Sequence, residues 1–157
     1  MAGDAQREVV DFLSQPGALG PAGVERIETH ASLVFLAGER AFKLKRAVRY
    51  SYLDYSTPEK RREACEAELA LNRRTAPALY LEVRAVRRGV DGALTLEGGG
   101  TPVDWLLVMR RFPEDALLDR MAVAGSLTPA LMRDLADAIA AFHDTAEATA
   151  DFGGHAG

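Results

Sequence analysis

Cysteine is almost absent from this chain. Cys65 is the single one among 157 residues, which excludes an internal disulfide and points to a reducing cytoplasm. One thiol and three scattered histidines argue against a zinc centre. No apolar run approaches the ~20 residues of a transmembrane helix. The opening Met1-Ala-Gly-Asp-Ala-Gln-Arg7 is polar, without the apolar core of a signal peptide, so no membrane partner is expected. No charge sign dominates: 19 basic and 23 acidic residues leave a net charge of −4. That balance argues against a nucleic-acid binder, although basic clusters occur at Lys60-Arg61-Arg62, Arg73-Arg74, Arg87-Arg88 and Arg110-Arg111. Internal repeats are absent. The triplet Gly98-Gly99-Gly100 lacks the Gly-Lys-Ser/Thr of a P-loop and reads as a hairpin linker.

What is present is an ordinary globular composition, 48% apolar and 27% charged, in a chain of single-domain size that can bury about two-thirds of its unfolded surface. The most informative stretch is Ser32 to Arg46. Ser32–Ala37 is an apolar run, Gly38-Glu39 supplies turn chemistry, and Arg40–Arg46 alternates, with Ala41, Lys43 and Lys45 on one side and Phe42 and Leu44 on the other. This is a β-hairpin. Lys43 stands mid-strand, two residues after Ala41. Ala-x-Lys after a hairpin is the layout of the nucleotide-holding lysine of kinases; the alternative is an edge-strand lysine that discourages aggregation.

Around the hairpin, Gln6–Ser14 reads as a short amphipathic helix ended by Pro16-Gly17, residues 17–23 as a loop, and Val24–Thr29 as a strand. Arg49–Ser56 is an aromatic connection without periodicity. Thr57 and Pro58 are N-cap and N1 of a helix running to about Thr75, where Ala76-Pro77 stops it. Strands are expected at Tyr80–Arg87, Ala93–Glu97 and Val103–Phe112, then a short helix at Ala116–Val123. The Thr128-Pro129 pair opens a long helix to about Ala146, with the stripe Leu131, Leu135, Ala138, Ile139 and Phe142. The tail from Asp151 is expected to fray.

Glu68 is the second anomaly. Ala64, Cys65 and Leu71 are its helical neighbours, and a carboxylate on such a face needs a cation or it protonates. A strand lysine facing the helix would be that cation, so Lys43 and Glu68 are expected to form an ion pair, with Lys45 as the fallback. The alternative for Glu68 is a solvated carboxylate on a charged helix.

The order of these elements, with Glu28-Thr-His-Ala-Ser-Leu-Val-Phe-Leu36, Ala41-Phe-Lys-Leu-Lys45, Leu53-Asp-Tyr-Ser56, Lys60-Arg-Arg62, Glu66-Ala-Glu-Leu-Ala-Leu-Asn-Arg-Arg74, Ala76-Pro-Ala-Leu-Tyr-Leu81 and Val108-Met-Arg-Arg-Phe112, resembles the bacterial aminoglycoside phosphotransferase-like kinases, the type that often carries a second, P-loop ATP-binding domain downstream. The resemblance covers about residues 24 to 145. It implies an α+β fold: a protein-kinase-like N-lobe, an antiparallel sheet with one packed helix, followed by the first helices of a C-lobe. It divides the chain into an N-terminal helix and loop (1–23), N-lobe and hinge (24–112) and an incomplete C-lobe (113–157).

The resemblance further implies ATP as ligand and an unidentified small-molecule acceptor. Lys43 would contact the α/β-phosphates and Glu68 would hold Lys43. His30 and Ser32 would stand where kinases have a glycine-rich phosphate loop, and the backbone from Arg110 through Arg111 to Phe112, after Met109, would face the adenine. His143 reads as a helix-end residue rather than a base. The family's catalytic loop and magnesium-holding carboxylates have no counterpart before Gly157, so no catalytic or metal-binding residue is assigned, magnesium would need the absent part of the C-lobe, and the chain alone is expected to be inactive, a truncated piece. Asp151-Phe152-Gly153 reads as a coincidental match to Asp-Phe-Gly, because no catalytic loop precedes it. Two other classes remain: a non-catalytic nucleotide-binding or regulatory module, and a binder of nucleic acid or another anionic partner. The long helix is expected to leave apolar surface open to self-association.

Overall fold

Strands β1 (Val24–Glu28), β2 (Ser32–Ala37) and β3 (Arg40–Lys45) run as an antiparallel meander. Gly38, at φ 56°, turns β2 into β3. The register puts Leu33 opposite Leu44 and Phe35 opposite Phe42 on one face. It puts Ser32 opposite Lys45 and Val34 opposite Lys43 on the other. The apolar face is covered by α1 (Ala2–Leu13), whose Val9 and Leu13, one turn apart, join Leu33, Phe35, Phe42, Leu44, Val86, Leu106 and Val108 in the core.

This computed structural model describes residues 2–147, in two compact units that meet in sequence between Phe112 and Pro113. The first is α+β. After β3 the chain leaves the sheet. Strands β4 (Arg49–Tyr50) and β5 (Leu53–Asp54) pair with each other, and α2 (Pro58–Asn72) packs against the later strands. The chain then returns as β6 (Tyr80–Arg88), β7 (Leu94–Thr95) and β8 (Thr101–Arg110). The sheet order is β1-β2-β3-β8-β6-β7, with every neighbour antiparallel. β8 therefore slots between β3 and β6 and makes β3 an interior strand, which removes the edge-strand reading of Lys43.

Several boundaries shift from the sequence expectation for local reasons. The first helix starts at Ala2 rather than Gln6. The tyrosine-rich connection hides a hairpin whose strands are too short to carry a period, pairing Arg49 with Asp54 and Tyr50 with Leu53. The strand expected over Ala93–Glu97 shrinks to Leu94–Thr95. β8 starts two residues early and includes Pro102, tolerated beside the register shift between Val86 and Arg87. Thr57 caps α2, its hydroxyl accepting from Lys60 N–H at 3.3 Å, as the Thr-Pro pair implies.

In the second unit, a 3₁₀ turn (Glu114–Ala116) and α3 (Leu118–Val123) precede α4 (Pro129–Thr145). Thr128 caps α4 through Leu131 N–H at 3.2 Å. No residue of α4 is buried: Leu131, Leu135 and Phe142 are half-covered, and Ala138 and Ile139 are exposed. The tail from Asp151, with its Asp-Phe-Gly triplet, lies outside the described residues.

Candidate functional site

α2 turns an unusual stripe toward the sheet. Arg61, Cys65 and Glu68 follow one another at helical spacing, Arg61 and Cys65 both buried. Leu71, which the sequence suggested as part of Glu68's apolar surroundings, is exposed. Two of these three sheet-facing residues are charged, and Arg61 and Glu68 each have a partner on the sheet.

Glu68 meets β3. Its Oε1 accepts from Lys43 Nζ at 2.8 Å and its Oε2 from Lys45 Nζ at 2.6 Å. Residues two apart on a strand share a face, so one carboxylate bridges both lysines. The sequence expectation was Lys43 with Lys45 in reserve; the structure uses both. Their surroundings differ. The Lys45 side chain is 4% exposed, lies 4.9 Å from the centroid of the Tyr55 ring and donates to Tyr55 OH at 3.4 Å; the Lys43 side chain is 28% exposed.

Burial on its own would depress the Lys45 pKa, but the bond to Glu68 and that carboxylate's charge outweigh it and hold the ammonium above its ordinary 10.5. Burial would likewise raise Glu68, yet hydrogen bonds from Lys43 and Lys45 hold it below its ordinary 4.5. Cys65 is pushed up to about 11, first by burial, with Lys45 opposing; it is an inert thiol at neutral pH.

These shifts set a stability window. Glu68, depressed in the folded chain, stabilises above pH 4.5, and this contribution fades as pH falls through its folded value. Lys45, raised, stabilises below pH 10.5, and this contribution fades as pH climbs through its folded value. The melting-temperature gap between wild type and Glu68→Gln should therefore be flat near neutrality and narrow below pH 4.5. A gap that widens there in a pH series of thermal melts contradicts the ion triad.

A second, deeper network escaped the sequence reading. The β3–β8 ladder ends at the Leu44–Leu106 pair, and just beyond it Asp104 is wholly buried. Arg61 Nε and Nη2 grip its two oxygens at 2.7 and 2.9 Å, Gln6 Nε2 donates to Oδ2 at 3.0 Å, and Trp105 N–H donates to Oδ1 at 2.9 Å. Arg61 Nη1 also reaches the Tyr55 carbonyl at 3.0 Å. Gln6 in turn clamps the end of β3, donating to the Lys45 carbonyl at 2.9 Å and accepting from Ala47 N–H at 2.6 Å. α1, α2, β3 and β8 thus meet in one satisfied polar cluster. Its visible signal was an aspartate inside the apolar run Val103–Met109.

The other expected site residues are placed as follows. The turn before β2 closes on itself: Ser32 N–H donates to Thr29 Oγ1 at 3.0 Å, and Thr29 N–H donates to the Ser32 carbonyl at 2.8 Å. Ser32 is buried, and His30 is exposed with its carbonyl accepting from Tyr50 OH at 3.3 Å. Met109 pairs with Ala41 across the sheet and with Tyr80 on its other side. Arg110 N–H donates to the Leu79 carbonyl and Arg111 N–H to the Glu39 carbonyl, each at 2.8 Å; Phe112 is exposed. Two cavities of about 510 and 440 Å³ lie beside α1, sharing Phe12 and Leu94 in their walls, and neither is lined by Lys43, Lys45 or Glu68.

Comparison with known proteins identifies relatives without assigned roles. Uncharacterized proteins of Mycobacterium tuberculosis and Mycobacterium bovis are each 34% identical over 120 residues, which is 76% of this chain. The matched segment is 22% of each relative, so the chain spans about a fifth of the length of the curated relatives it matches. No protein-family model matches the chain, and no solved structure matches it. Among the described residues no helix is long and apolar enough to cross a membrane.

Proposed function

We propose that residues 24–112 are the ATP-binding lobe of a protein-kinase-like phosphotransferase of the aminoglycoside phosphotransferase type, acting on a small-molecule hydroxyl. The observation that carries this reading is the 2.8 Å bridge from Lys43, on the third strand of an antiparallel sheet, to Glu68, on the helix that follows. Kinases hold the ATP phosphates with a lysine on their third strand and steady it with a glutamate of the next helix. The return of β8 between β3 and β6 supports the same arrangement.

Within this reading Lys43 is the phosphate contact. The turn before β2 has no glycine, and its Ser32 N–H is already given to Thr29, so backbone cradling contributes little and His30 is the side chain left at that turn. Adenine would lie beyond Met109. The Arg110 and Arg111 N–H groups are engaged, which leaves Phe112 N–H and the local carbonyls to meet the base. Orienting an acceptor and holding magnesium need further carboxylate and amide groups. We assign those roles to no described residue, and ADP release would separate a phosphotransferase from a purely nucleotide-binding module. A single buried cysteine suits a cytoplasmic setting.

The anionic-partner reading loses support at its own residues. Lys60 is paired with Asp54 at 2.5 Å, Arg62 with Glu66 at 2.7 Å, Arg88 with Glu8 at 2.6 Å and Arg111 with Glu25 at 3.3 Å. Calorimetric titration with ATP tests the proposal. The expected affinity is about millimolar, near −4 kcal/mol, with no shift of duplex DNA at the same protein concentration. DNA binding without ATP binding would reverse the choice.

A further inference from the structure

The cluster on β3 is unbalanced. It holds two ammonium groups and one carboxylate, and among the described residues no second carboxylate pairs with either lysine. The groups packed around it do not restore balance. Tyr55 offers a hydroxyl oxygen that accepts from Lys45 and no carboxylate. Cys65 is held protonated by burial, Tyr80 is raised above its ordinary value by burial and by Glu68, and Asp104 is consumed by Arg61. One positive charge is therefore surplus, and its location follows from water access. Lys45 is 4% exposed, and a buried ammonium must keep a full counter-charge. Lys43 is 28% exposed and can leave its charge to solvent or to an incoming anion.

We propose that Lys45 is a positioning residue for the nucleotide site: it takes up the charge of Glu68 from the buried side and so leaves the Lys43 ammonium uncompensated for a polyphosphate. This rests on the nucleotide-binding reading and deepens it. A single Lys–Glu pair would be neutral, and a phosphate approaching Lys43 would have to compete with Glu68 for it. With Lys45 on Oε2, the carboxylate keeps its partner and its orientation while Lys43 turns to the ligand. The hold of Gln6 on the Lys45 carbonyl and Ala47 N–H fixes the strand end that carries Lys45.

The test is a charge series, titrated with two probes, ATP and inorganic tripolyphosphate. In wild type, Lys45→Met, Glu68→Gln and the double variant Lys45→Met/Glu68→Gln, the three positions sum to +1, 0, +2 and +1. Lys45→Met should bind both probes about tenfold more weakly. The double variant should return to within about threefold of wild type, although it has lost both members of a buried contact. Glu68→Gln is the reference against which the double variant is read, and Lys45→Arg should keep wild-type affinity. Met is apolar and near the length of the lysine stem, so the fold should survive, and thermal melts check it. A double variant as weak as Lys45→Met means that Lys45 acts through packing alone and overturns the proposal. So does Lys45→Met binding like wild type. If the wild-type chain binds neither probe, the nucleotide reading itself fails and the role of Lys45 falls with it.

Discussion

Asp104→Ala is expected to cost the sheet unit about 3–5 kcal/mol, the price of removing one partner from a buried ion pair. The carboxylate is fully buried, and its loss strands the Arg61 guanidinium, itself 4% exposed, together with the Gln6 amide. Three elements lose their common anchor at once. Urea denaturation should report a fall in midpoint at unchanged slope. The double variant Arg61→Met/Asp104→Leu should be far milder, because it removes the charges together rather than leaving one uncompensated. A loss under ~1 kcal/mol for Asp104→Ala would put this network on the footing of a surface pair.

Lys43→Met should separate binding from folding. Glu68 keeps Lys45 as its counter-ion, and the Lys43 side chain is partly open to water, so the melting temperature should change little. ATP affinity should fall at least tenfold. Retained ATP binding in a folded Lys43→Met chain means that the nucleotide binds elsewhere.

The hairpin was legible because its information is local: one glycine and strict alternation place Lys43 opposite the core face. Glu68 was legible for the same reason, as a charge spaced toward a packed face. The second lysine was equally visible, since Lys45 shares a face with Lys43, but the Ala41 preceding Lys43 drew attention to one at the expense of the other. Glu68 was placed correctly for a partly mistaken reason, since Leu71 faces solvent and the stripe is completed by Arg61 instead. Arg61 looked like one member of a basic run, and its burial depends on an aspartate 43 positions away. Gln6 and Asp104, 98 residues apart, cannot be paired from periodicity at all. Asp104 lies past the last β3–β8 pair, Leu44–Leu106, a placement set by strand length and sheet order. The two-residue strands β4 and β5 were unreadable as strands because a period of two needs more residues to declare itself.

The most direct test of the nucleotide-binding account is where ATP lands. Backbone amide NMR of the isotope-labelled chain, followed through an ATP titration, maps the contact residue by residue. The account predicts shifts concentrated at Lys43, Glu68 and Arg110 to Phe112, saturating together and absent in Lys43→Met. Shifts confined to Phe12, Leu94 and the cavities beside α1, or no shift at any residue, would contradict it.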